Sequence, residues 1–185
     1  MAESWYSGSE NVLTNLANSL LPVEKMLTGG AYLMGLAFAI KAILTLKTHG
    51  EQRSSMSGTG NMKEAGVYLF VAAMLVYYPT AFKIFMNSTF GYENVLAYAP
   101  MNTSTPLISN LFGNDNMVGY SLTVIVQVIG LVAFIRGWVM IARGSAQGQA
   151  GGTTGKGLMH VFGGILAMNI IGTLEVFHNT LFGVS

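Results

Sequence analysis

Residues 26–46 read MLTGGAYLMGLAFAIKAILTL, and residues 118–142 read VGYSLTVIVQVIGLVAFIRGWVMIA. Each is an almost unbroken apolar run of the roughly 20 residues that a helix needs to cross a bilayer. Two further runs follow them, 67–86 (VYLFVAAMLVYYPTAFKIFM) and 158–178 (LMHVFGGILAMNIIGTLEVFH). The four runs predict an all-α membrane protein with four transmembrane helices. Composition agrees: 51% of the 185 residues are hydrophobic and only 9% are charged, against about 25% charged in an ordinary soluble domain. Four buried helices in one soluble domain would be the alternative, but the remaining polar sequence is too short to cover them. The chain has no cysteine, which excludes disulfides, thiolate metal sites and a cysteine nucleophile. A net charge of +1 indicates no nucleic-acid surface.

The runs are paired by an internal repeat. A shift of 95 positions lays residues 12–41 over 107–136 without a gap, with eight identities, among them Asn15/Asn110, Leu27/Leu122, Thr28/Thr123 and Gly35/Gly130. Lys41 then falls on Arg136. Past the polar loop the match resumes at a shift of 92, where Phe70/Phe162, Phe85/Phe177, Asn87/Asn179, Phe90/Phe182 and Gly91/Gly183 agree. Isolated identities between apolar segments are weak; loops, cations and the closing Phe-Gly aligning together make a repeat. We therefore expect two tandem helical hairpins, residues 1–91 and residues 92–185.

Each hairpin is expected to begin with an amphipathic helix in the membrane interface. In 9–25, Val12, Leu13, Leu16, Ala17, Leu20 and Leu21 form one helical stripe, Ser9 can cap its start, and Pro22 bends or ends it. Thr105, Pro106 and the stripe Leu107, Ile108, Leu111, Phe112 form a shorter version that stops at Gly113. The loops 48–66 and 143–157 are rich in Gly, Ser, Thr and Gln and read as flexible. They also hold Arg53, Lys63, Arg143 and Lys156, with Lys47 at the rim, whereas the linker 88–117 holds no Lys or Arg. The positive-inside rule makes both loops cytoplasmic and both termini and the linker periplasmic. The two hairpins are then parallel copies, related by an axis along the membrane normal. MAESWYSGSE lacks the basic and apolar regions of a signal peptide, so the first helix is expected to be retained.

Few residues invite chemistry. Lys41 and Arg136 stand inside apolar helices, where a charge is costly unless it snorkels or finds a partner. They are candidate lipid-phosphate or inter-subunit contacts. Lys83 and Glu175 occupy equivalent positions with opposite sign and are candidates for a pair across the repeats or between subunits. Glu175 and His178 are spaced like metal ligands, but no second Glu/His pair accompanies them, so no metal is expected. GTTGKG at 152–157 is not a phosphate loop: Ala150 and Gly157 stand where Gly and Ser or Thr are needed. No GxSxG or HExxH is present, and no cofactor or catalytic residue is assigned. Ala31, Gly35 and Ala39 in the first helix, and Gly163 and Ala167 in the fourth, have the small-xxx-small spacing that lets helices approach closely. Pro79 should kink the second helix beside Tyr77 and Tyr78.

With its four helices, its Gly-rich loops, the stretch GWVMIARGSAQGQAGG and the ending GxLMHVFGGILAMNIIGTLEVFHNTLFG, the chain resembles the IcmC/DotE family. These are small inner-membrane proteins of type IVB (Dot/Icm) secretion systems, with relatives DotP, DotV and the conjugative TraQ. The resemblance implies a non-enzymatic structural or channel component of an effector-export or conjugation apparatus in the bacterial inner membrane. Its partners would be lipids and other secretion-channel proteins in a homo- or hetero-oligomer. The hairpin with a basic cytoplasmic loop is also similar to type IVA conjugative pilins, which are single hairpins, and suggests a pilin-like subunit as a second reading. A small autonomous channel or transporter is a third.

Overall fold

The structure, a computed structural model, describes residues 2–54, 62–90, 116–146 and 152–183. Six helices account for nearly all of them: α1 (Ala2–Ser54), α2 (Met62–Val76), α3 (Tyr78–Phe90), α4 (Asn116–Gly144), α5 (Gly152–Met168) and α6 (Ile170–Phe182). Asn11–Glu51 of α1 and Gly119–Gly144 of α4 are long and apolar enough to cross a membrane. Each of the pairs α2/α3 and α5/α6 passes the same test taken together but is sharply bent, so two to four apolar helices could span a membrane.

α1 and α2 form one antiparallel hairpin: Gly35 meets Leu75 and Val76, and further along Phe38 stacks on Tyr68. α4 and α5 form the other: Gly144 meets Thr154, Gly137 meets Gly157 and Val161, and Gly130 meets Gly164 and Met168. The hairpins join through rings. Phe70 lies edge-on to Trp138 at 5.7 Å, Phe134 lies edge-on to Trp138 and Phe82 at 6.0 Å, and Tyr78 leans on Phe134 at 5.6 Å. Tyr68, Leu75, Phe82, Leu131 and Phe134 are fully buried here. The apolar excess faces outward: Leu33 is 70% exposed, Ile43 62%, Met159 74% and Leu181 73%. An exterior of large aliphatic side chains suits lipid or a protein partner better than water.

Three sequence expectations change. The amphipathic segment 9–25 is no separate helix; it is continuous with the span, and Pro22 sits inside α1. One proline removes one backbone donor, and helical neighbours on both sides carry the axis through. The corresponding 105–113 segment lies outside the described residues. The loops are shorter than their composition suggests, because α1 runs to Ser54, α4 to Gly144, and α5 already starts at Gly152. The fourth apolar run, expected to be unbroken, is broken, as the second is beside its expected kink at Pro79.

Candidate functional site

The seams of the two hairpins share one register. Gly35 and Gly130 are repeat equivalents, and so are their contacts, Leu75 with Ala167 and Val76 with Met168. A Cβ on Gly35 would lie 2.8 Å from Val76 Cγ2, and one on Gly130 would lie 2.8 Å from the Met168 nitrogen. Seven residues on, Ala42 is buried in the first hairpin where Gly137 is buried in the second. Across the seam, Ala65 and Ala72 stand where Gly157 and Gly164 stand. A Cβ on Gly137 would meet the Gly157 oxygen and the Val161 nitrogen at 2.7 Å, so backbone lies on backbone. The Gly-rich stretch at 152–157 thus packs the start of α5, at Gly157, instead of acting as a free loop.

Of the predicted packing residues, Ala31 and Gly35 are buried, Ala39 is half-buried, and Ala167 touches Gly130. Gly163 differs: it is exposed, and a Cβ there meets nothing within 4 Å. Its neighbour Gly164 faces the seam. Of this pair, Ala167 thus packs within the chain and Gly163 is open to a neighbour, while the spacing of seven shared by Gly130, Gly137 and Gly144 marks the seam itself.

The breaks are also equivalent. α2 and α3 meet at 85° across Tyr77, and α5 and α6 meet at 97° across Asn169. These two residues lie 92 positions apart, the shift that relates the second halves of the repeats. Their chemistry differs. Pro79 has no N–H for the Leu75 carbonyl, and the helix resumes with the Ala81 nitrogen donating to the Tyr77 oxygen at 2.8 Å. No proline occupies the second break. There Asn169, at φ −118° and ψ 59°, caps α6 by accepting from the Gly172 nitrogen at 3.3 Å. The Thr173 hydroxyl donates to the Leu166 oxygen at 2.9 Å and to the Asn169 oxygen at 2.8 Å, covering carbonyls that the break exposes. Sequence reading found the first break through Pro79 and missed the second, where Asn inside an apolar run was the available signal.

The cations are not brought together. The Lys41 ammonium sits 4.5 Å from the centroid of the Tyr68 ring, a cation–π contact within the first hairpin. Arg136 instead lines a cleft of about 620 Å³ between α1 and α4. α1 supplies Val23, Met26, Leu27, Gly30 and Met34; α4 supplies Val132, Ile135, Arg136, Val139 and Arg143. Both sets follow the spacing i, i+3, i+4, i+7, i+11, one stripe of each helix. Lys83 is exposed on α3. The side chain of Glu175, its expected partner, lies outside the described residues. Among the described residues no group of three or more His, Asp or Glu side chains converges as a metal site would require.

Compared with known families, curated proteins and solved structures, the chain matches no family model, no curated protein and no solved structure.

Proposed function

We propose that the chain is a multi-pass membrane component of a secretion or conjugation apparatus of type IVB, built from two parallel hairpins and acting by assembly rather than by catalysis. The observation that carries the two-hairpin part is the coincidence of seams and breaks: Gly35 and Gly130 pack on equivalent residues, and both second helices break at equivalent positions. The contacts Phe70–Trp138 and Tyr78–Phe134 join α2 and α3 of the first hairpin to α4 of the second. The secretion part rests on the sequence resemblance to the IcmC/DotE family. Inner-membrane placement with both termini periplasmic rests on the Lys and Arg of the two loops. The outward aliphatic side chains of α1 and α5 suit lipid and neighbouring subunits alike.

The test is the composition of the complex that purifies with the tagged chain in mild detergent. Co-purifying secretion-channel proteins support the proposal, and a monomer that carries nothing with it overturns the assembly reading. Single cysteines at Ser57, Asn102 and Gly151 check the orientation: an impermeant thiol reagent applied to intact spheroplasts should reach residue 102 and spare 57 and 151.

A second reading, an autonomous small channel, is favoured by the two breaks. Interrupted helices at matching positions of two halves are where transporters place their substrate and ion sites. Ion flux through liposomes holding only this chain would establish it. A pilin-like subunit remains the reading in which the chain leaves the membrane to polymerise.

A further inference from the structure

We propose that the cleft between α1 and α4 is a binding site for an anionic phospholipid. The inference rests on the membrane reading above and adds a ligand class and a place. The cleft holds about 620 Å³ and is apolar apart from two arginines. Arg136 and Arg143 stand two helical turns apart on one stripe of α4, so their origins are about 10 Å apart along the axis. Among the described residues neither has a carboxylate partner; the ion pair found there is Lys47 with Glu51. Both arginine side chains are exposed at the cleft. Two unpaired guanidinium groups at an otherwise aliphatic groove match one kind of molecule, a phosphate joined to hydrocarbon. Guanidinium binds phosphate oxygens in a bidentate fork. Met26, Met34 and Val139 offer the acyl chain an adaptable aliphatic bed. A polar solute would leave that bed wet, and a neutral lipid would leave the arginines unpaired. Gly30 keeps the groove open: a Cβ at this position meets nothing within 4 Å.

Native mass spectrometry of the full chain in mild detergent, with lipids added back in competition, tests the site. Phosphatidylglycerol should remain bound over phosphatidylcholine by roughly tenfold, as expected for two cations near an anionic headgroup. Gly30→Leu puts a side chain into the cleft from a position whose Cβ meets nothing within 4 Å, so it should abolish retention while leaving both arginines in place. Arg136→Gln/Arg143→Gln should reduce phosphatidylglycerol to the level of phosphatidylcholine. Equal retention of the two lipids by the native chain overturns the site and leaves the membrane reading intact. So does undiminished phosphatidylglycerol binding by Gly30→Leu with helix content unchanged by circular dichroism, which would place the lipid elsewhere on the surface. Displacement by millimolar inorganic phosphate would reduce the site to a phosphate contact without the chain, also against the proposal. A chain that stays soluble without detergent overturns the membrane reading and the lipid site together.

Discussion

The two hairpins have one register and two kinds of seam. In the first, Gly35 packs on Leu75 and Val76, and Ala42, Ala65 and Ala72 are buried; in the second, their equivalents Gly130, Gly137, Gly157 and Gly164 meet one another across the seam. Glycine in place of alanine at three positions lets α4 and α5 meet backbone to backbone, whereas α1 and α2 are also joined by side chains, Phe38 stacked on Tyr68 and Lys41 over the same ring. In lipid, helices gain little from hiding apolar surface from one another, so close packing and a few polar contacts decide the pairing. The second hairpin draws on the former and the first adds the latter. A repeat can therefore keep its geometry while its cohesion changes in kind.

The largest test of that contrast moves the second seam towards the first. Gly137→Ala/Gly164→Ala places two methyl groups 2.7 Å from backbone atoms. Overpacking of this sort costs about 1–3 kcal/mol per site, so thermal unfolding in detergent should shift down by several degrees. Unchanged stability would show that the seam is looser than its geometry. Next, Pro79→Ala restores the missing backbone donor in the first break. Spin labels on α2 and α3 should move apart as the 85° bend opens, whereas Asn169→Ala should leave the second bend in place. Identical behaviour of the two breaks would erase the distinction between them. Asn169→Ala should still cost about 1 kcal/mol through the lost cap, measured by the same unfolding transition. Lys41→Gln removes the cation from Tyr68 and should cost about 0.5–1 kcal/mol. Gly163→Leu should be silent in the isolated chain, because nothing lies within 4 Å of that position. If it nonetheless dissolves a purified complex, its exposed face is an assembly surface.

Much of the fold was legible because apolar runs and small-residue spacing act over one or two helical turns. The runs marked the helices, Pro79 marked a break, and Gly35 marked a seam. What escaped depended on contacts across the chain. Gly157 looked like loop sequence because glycine lowers helix propensity; the close approach of Gly137 compensates in the folded protein. Pro22 was expected to bend or end the first stripe, and α1 continues past it. Lys41 and Arg136 are matched by the repeat but face different neighbours, since one helix packs on Tyr68 and the other opens onto Gly30. The cleft between α1 and α4 needs both hairpins and has no signature in either.

The length of the bent legs has a consequence beyond the protein's own outline. α2 has 15 residues before its break and α5 has 17, rises of about 22 and 25 Å. A hydrocarbon core is about 30 Å thick. In a membrane, lipids seated against these short legs would have to compress, and the cost of mismatch is a fraction of a kcal/mol for each ångström. Two such molecules that share a thinned annulus deform less lipid than two apart. In a bilayer, the bends would thereby favour neighbouring copies of this chain through the lipid between them.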